Sequence, residues 1–408
     1  MIKILHFADL HLGMENYGKI DPESGLSSRF LDFVKCFEEI IKFAKEQKVD
    51  LVIFAGDAYK TRDPSPTFQR AFAKEIYKLS QLNIPTVLLV GNHDLPTSLG
   101  KANTLDIFYT LKINNVYVSR QPEILEIPIR HQPGKIQVLT LPWITKNLFL
   151  SVELVHKSSK QLNEIILLKI KEKLKQLYAK INSKYPAILT AHASVEGATF
   201  GSEQQVTLGT DVVVPKSYLK NKHIQYVALG HLHKKQVLDE NPLMVYCGSV
   251  DRVDFGEEKE DKGFCLVKIQ LEKNNQTSFQ FEKLPSRKFI NIEININPED
   301  ADPTLTAVKE INKYQIKDAV VKVLINLTHE QFNQIVQSEI EKALSTAAFI
   351  ASISKEARKE KINKMLYSDE IASLTPMQWV EKYLELKKDK KKEEVLDTAK
   401  KMFEEINL

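Results

Sequence analysis

Five times along the chain, a short apolar run ends in residues able to bind a metal ion. The five segments are Asp9-Leu10-His11, Gly56-Asp57, Gly91-Asn92-His93-Asp94, Thr190-Ala191-His192 and Gly230-His231-Leu232-His233. The runs before them cover residues 2–7, 51–55, 86–90, 187–190 and 226–229. Residues 51–55 are apolar throughout, as in a strand covered on both faces. Residues 29–47 and 68–82 carry apolar side chains at helical spacing. Further strands are expected at 136–141, 243–247 and 264–269. This alternation specifies a layered α/β fold. In such sheets the carboxyl ends of the strands converge on the crevice where ligands bind. Residues far apart in the chain can therefore reach one place.

The segments supply seven donors: Asp9, His11, Asp57, Asn92, His192, His231 and His233. That set suffices for two divalent ions with positions left for water and substrate. One carboxylate must bridge the ions, and Asp57 is the best placed. Two ions about 3.5–4 Å apart clamp the attacking and departing oxygens of a phosphoryl displacement. The set lacks thiolate, which suits Mn²⁺ or Fe²⁺, with zinc possible. Gly56, Gly91 and Gly230 let the backbone turn and approach the ions closely. His6, His131, His156, His223 and His329 read as ordinary core or surface histidines.

A chain of 408 residues accommodates two or three domains. Its formal charge of +4 is too small to imply a nucleic-acid surface, so any such surface must be local. Residues 157–184 hold eight lysines and two glutamates beside an apolar stripe of Leu162, Ile166, Ile170, Leu174, Leu177 and Ile181. That charge run reads either as a solvated face or as a contact for DNA or a partner. Cys36, Cys247 and Cys265 form no CxxC pair, which fits a reducing cytoplasm. The N-terminus lacks a secretory pattern, and no run approaches the ~20 apolar residues of a membrane helix. A cytoplasmic protein with no membrane contact is expected. No GxxxxGK[ST] loop occurs, so any ATP dependence would come from a separate protein.

Past Pro285 the texture changes. Residues 288–295, 304–314, 319–327, 330–344 and 347–354 suggest a β-α-β-α-β module, and 355–408 reads as helical and highly charged. Within that tail, Met377, Val380 and Leu384, then Val395 and Met402, mark two amphipathic helices. Their stripe either folds back on the chain or docks on another protein.

Taken in order, Asp-x-His, Gly-Asp, Gly-Asn-His-Asp, His and Gly-His-x-His resemble the calcineurin-like metallophosphoesterase superfamily. Three longer stretches make the chain most similar to its SbcD family of DNA-repair nucleases: residues 6–13, 56–66 and 246–257. The resemblance implies a four-layer α/β/β/α nuclease domain over residues 1–284. It also implies a small α+β capping domain for DNA over 285–354 and a C-terminal helical segment over 355–408. That segment, through Met377, Val380, Leu384, Val395 and Met402, would dock the coiled coil of an SbcC-type ATPase. The activity implied is two-metal hydrolysis of DNA phosphodiesters, as 3′→5′ double-strand exonuclease and single-strand endonuclease, with Mn²⁺ the expected ion. The processes implied are double-strand-break repair, recombination and replication. One ion would be held by Asp9, His11, Asp57 and His233, the other by Asp57, Asn92, His192 and His231. His93 would orient or protonate the leaving 3′ oxygen, and Asp94 would hold the His93 ring. Lys60 stands where the eukaryotic and archaeal branch has a histidine, which argues against a two-histidine leaving-group arrangement.

Two other readings compete: a small-substrate metallophosphodiesterase or nucleotidase, and a non-catalytic DNA-end scaffold. The resemblance also implies a homodimer. Residues 96–111 with 68–82 are the expected surface, where Leu99, Leu105, Ile107 and Phe108 would pair two copies or pack on their own sheet.

Overall fold

The computed structural model describes residues 1–96, 100–144, 158–201, 211–271, 276–357, 375–387 and 392–405. Strands β1 (Ile2–Phe7), β2 (Leu51–Phe54), β3 (Thr86–Leu89) and β4 (Val116–Ser119) lie parallel. Next come β5 (Glu123–Pro128), β6 (Lys135–Leu141), β7 (Ala187–His192), β8 (Ile224–Gly230), β9 (Gln236–Glu240) and β10 (Leu243–Tyr246). These six form a second sheet in the order β5-β6-β7-β8-β10-β9. Strands β11 (Gly263–Gln270) and β12 (Gln276–Lys283) return to the first sheet, whose order is β12-β11-β1-β2-β3-β4.

The alternating pattern of the strands explains the layers. In β2, Leu51 and Ile53 enter the core between the sheets, while Val52 and Phe54 face the outer core. Both faces are covered, so the run has no polar position. Helices α1 (Ser28–Glu46), α2 (Pro66–Gln81) and α3 (Asp106–Leu111) close the first sheet through Phe33, Phe37, Phe72, Ile76 and Phe108. Helix α4 (Ser159–Tyr178) closes the second with Ile166, Ile170, Leu174 and Leu177. Ser158 starts it by a reciprocal capping box with Gln161. The result is the expected α/β/β/α arrangement.

Beyond β12, strands β13 (Phe289–Asn295), β14 (Val320–Leu327) and β15 (Phe349–Ala357) form a separate parallel sheet. Helices α5 (Pro303–Ile311) and α6 (Gln337–Ala343) pack on it around a core of its own. β15 runs to Ala357, so residues 355–357 are strand rather than part of the helical tail. Helices α7 (Pro376–Lys387) and α8 (Lys392–Glu405) pack on each other. Leu384 is buried there, whereas Val395 and Met402 are exposed. Residues 358–374 and 388–391 of the expected tail lie outside the described residues.

Two expectations need correction. The helix expected over 96–111 is confined, among the described residues, to Asp106–Leu111. Leu105 and Phe108 do not form a surface: they are 0% and 2% exposed and pack in the chain's own core, with Phe108 edge-on to Phe72. Ile107 and Leu111 do point outward, and Leu99 lies outside the described residues. Similarly, α4 accounts for only 159–178 of the lysine-rich run 157–184, whose residue 157 lies outside the described residues. All three cysteines are free and buried, and no helix among the described residues is long and apolar enough to cross a membrane.

Candidate metal centre

The five strand ends meet. β1, β2 and β3 are neighbours in the first sheet, β7 and β8 in the second, and the loops leaving them share one crevice. Backbone bonds lock the first two loops together: Asp9 N donates to the Gly56 carbonyl at 2.9 Å and Leu10 N to the Asp57 carbonyl at 2.9 Å. Asp9, His11, Asp57 and His231 all hold positive φ, at 52°, 45°, 63° and 103°. Non-glycine residues seldom adopt this region, and such strain concentrates at functional sites.

The donor atoms then approach closely. His11 Nε2 lies 3.0 Å from His233 Nε2. His192 Nε2 lies 2.9 Å from Asn92 Oδ1, and His231 Nδ1 lies 3.1 Å from the same oxygen. Asp57 Oδ2 stands 3.4 Å from His192 Nε2 and 3.9 Å from His11 Nε2, between the two clusters. Asp9, His11 and His233 form one group that could hold a cation, and Asp9, Asp57 and His192 another. Two donors at right angles around an ion at about 2.1 Å would be roughly 3 Å apart. The spacings of 2.9–3.1 Å match that value, with Asp57 standing slightly farther off between the clusters, so the residues present fit divalent ions. The glycines fit as well. A Cβ on Gly91 would strike Asp57 Oδ1 and N, and one on Gly56 (φ +103°) would strike the His192 ring.

Partners behind the donors fix their tautomers. His192 Nδ1 donates to the Ala55 carbonyl at 2.7 Å, leaving Nε2 facing the crevice. His233 Nδ1 donates to Glu257 Oε1 at 2.8 Å. His231 Nε2 donates to Asp211 Oδ2 at 2.9 Å. Asp9 accepts the His231 backbone N–H at 3.0 Å. Glu257 is itself braced by Lys262 Nζ at 2.8 Å and Val253 N at 2.9 Å. Of these supports, the sequence hinted only at Glu257, which closes the 246–257 stretch. Asp211, Lys262 and the carbonyls carry no motif.

The electrostatics call for positive charge. Burial, with the adjacent Asp57 charge, pushes the Asp9 carboxyl up. Burial opposes ionisation of Asp57, yet His192, His93 and His11 outweigh it and hold that carboxyl far below the usual range. Burial would lower the His192 pKa, but Asp57 and Asp9 raise it to about 9.

Asp94 differs from expectation. The His93 ring stands edge-on to His11 at 4.9 Å, and the His93 backbone N–H donates to Asp57 Oδ1 at 2.8 Å. The ring also comes within donor distance of His11 and Asp57. Its Nδ1, however, bonds to the Lys60 carbonyl at 2.7 Å. Asp94 therefore does not hold that ring. Its carboxylate accepts Asp57 N at 3.0 Å, Ala58 N at 3.0 Å and Gly91 N at 2.9 Å. Asp94 pins the loops after β2 and β3 together and is a positioning residue.

A family model for calcineurin-like phosphoesterases matches residues 2–235. The chain belongs to the calcineurin-like phosphoesterases. It is also similar to the SbcD component of the SbcCD nuclease of Staphylococcus saprophyticus, at 26% identity over 318 residues covering 77% of each chain. The resemblance to the SbcD family is thus borne out. Among solved structures, a dimetal phosphatase from Danio rerio shares 10% identity at a TM-score of 0.40, over 69% of this chain and 96% of its own. A Thermus thermophilus protein shares 13% at 0.38, over 69% and 98%. As a member of this family, the chain is a metal-dependent phosphoester hydrolase.

Proposed function

We propose that the chain is the nuclease component of a DNA end-processing complex, hydrolysing DNA phosphodiesters as a 3′→5′ double-strand exonuclease and a single-strand endonuclease. An SbcC-type coiled-coil ATPase is its partner, engaged through the α7–α8 pair carrying Met377, Val380, Leu384, Val395 and Met402. The sheet of β13–β15 serves as the DNA-capping domain. Support comes from the likeness to an SbcCD component and from elements that a small-substrate phosphodiesterase does not need. The observation that carries the reading is the gathering of donors from five strand ends into one crevice, at spacings of 2.9–3.9 Å where His11, Asp57, Asn92, His192, His231 and His233 meet, with Asp9 beside them.

Asp9, His11, Asp57 and His233 would hold one ion; Asp57, Asn92, His192 and His231 would hold the other, with Mn²⁺ best suited to this donor set. Bound there, the ions supply Lewis-acid polarisation of the phosphoryl group and lower the pKa of water to near neutral. The chain's own residues do the rest. Glu257, Asp211 and the Ala55 carbonyl orient three imidazoles. The Lys60 carbonyl accepts a hydrogen bond from His93 Nδ1, which leaves Nε2 free to face the departing 3′ oxygen and, in the imidazolium form, to give it a proton. Asp94 keeps the Asp57 loop and the His93 loop in register.

The test compares 5′-labelled duplex DNA, single-stranded circles and a nucleotide monoester, each with Mn²⁺. Stepwise shortening of the duplex from its 3′ ends, abolished by Asp57→Asn, is expected. Turnover of the monoester with no DNA cleavage would overturn the reading in favour of a small-substrate enzyme.

A further inference from the structure

The lysine-rich stretch noted in the sequence finds its place in α4. That helix buries its apolar stripe against the second sheet. Lys169 and Lys173, one turn apart, border a cavity of about 370 Å³. Pro142, Trp143 and Ile170 form its apolar wall, and Arg120 adds a third cation. Glu172 is the one carboxylate among the described lining residues. The cavity is not remote from the metal centre. Trp143 also lines a narrow cleft that reaches His192. Its ring lies 4.8 Å from the His231 ring and 6.0 Å from that of His192. One indole therefore belongs to both the cavity and the wall of the crevice.

The lining selects for one chemistry. A cavity of a few hundred Å³ with apolar walls takes a flat, monomer-sized group. An indole offers a stacking face to any base, and flanking lysines neutralise phosphates. A paired base is held inside its duplex stack, so only an unpaired one can enter. We propose that this cavity binds one unpaired nucleotide of a nucleic-acid strand, its base against Trp143 and its phosphates toward Lys169 and Lys173, beside the metal centre. The assignment deepens the nucleic-acid reading given above and rests on it.

The chain has two tryptophans, Trp143 and Trp379, which makes the cavity observable. In the full chain carrying Trp379→Phe, Trp143 is the sole reporter. A cleavage-resistant phosphorothioate oligothymidylate is titrated in with Mg²⁺ present. Binding is read by Trp143 fluorescence and, in parallel, by anisotropy of a dye-labelled copy. Saturable quenching that tracks the anisotropy is expected. Lys169→Gln/Lys173→Gln in the unmodified background should weaken binding on the order of ten-fold and reduce the log–log salt slope by about 1.4. Anisotropic binding without quenching, or a double variant that binds with unchanged slope, overturns the proposal. Thymidine monophosphate that quenches as tightly as the oligomer would assign the cavity to a free nucleotide and also overturn it. Duplex cleavage by the unmodified chain separates the two readings: cleavage with no quenching sinks the cavity assignment alone.

Discussion

Glu257→Gln isolates the support behind His233. The Glu257 side chain is fully buried, with Oε1 on His233 Nδ1 at 2.8 Å and Oε2 on Lys262 Nζ at 2.8 Å and Val253 N at 2.9 Å. A carboxamide has one accepting oxygen. It cannot serve His233 on one side and Lys262 with Val253 on the other. Lys262 is itself buried and, among the described residues, is left with Glu260 at 2.8 Å and the His233 carbonyl at 3.0 Å. Removing one member of a buried charge pair costs about 3–5 kcal/mol; with Glu260 retained, about 3 kcal/mol is expected. That loss leaves a typical protein folded. Metal affinity should fall about 10–100-fold, the usual cost of losing a carboxylate behind a histidine ligand. Calorimetric titration with Mn²⁺ and urea unfolding would measure both, with Glu257→Asp expected to recover part of each. Unchanged Mn²⁺ affinity in Glu257→Gln would refute the claim that this carboxylate orients a ligand. The same group sets a pH dependence. Burial works against its charge, but His233 and Lys262 outweigh burial and hold its pKa below the ordinary 4.5. A carboxyl lowered on folding stabilises fully above its unfolded value. Its contribution should therefore be present above about pH 4.5 and fade as pH falls below it, a loss absent from the Gln variant.

Further outcomes follow from other contacts. Gly91→Ala should abolish Mn²⁺ binding, because its Cβ would collide with the Asp57 backbone and carboxylate; wild-type metal binding in that variant would contradict the geometry. His93→Ala should bind Mn²⁺ within about three-fold of wild type while slowing DNA hydrolysis about 10²–10⁴-fold; loss of metal would make His93 a ligand instead. A chain ending at residue 374 should retain DNA cleavage but fail to retain the ATPase partner in gel filtration, and unchanged co-elution would remove α7 and α8 from the partner surface.

Much of this centre was legible in the sequence because metal ligation leaves a local trace. Each donor sits at or just past the end of a strand, and the apolar runs 51–55 and 86–90 are conspicuous because both faces of their sheet are covered. Edge strands were harder to see. β9 and β12 are half exposed, with mixed polar sequences that lack an apolar run. The supports were less visible still. Asp211 and Lys262 meet the centre only through tertiary folding, and the Ala55 and Lys60 carbonyls are backbone groups without a residue signature. Asp94 was misread because adjacency to His93 in sequence suggested contact with its ring, whereas the turn directs the carboxylate onto backbone amides. Leu105 and Phe108 were ambiguous for another reason: apolar residues at helical spacing look alike whether they meet a second copy or their own sheet.

The central claim is that Asp57 bridges two ions held by residues from opposite ends of the sequence. Crystals soaked in Mn²⁺ and measured at its absorption edge test it directly. Two anomalous peaks about 3.5–4 Å apart are expected, one beside His11 and His233, the other beside Asn92, His192 and His231, with Asp57 touching both. A single peak, or ions bound away from Asp57, would contradict it.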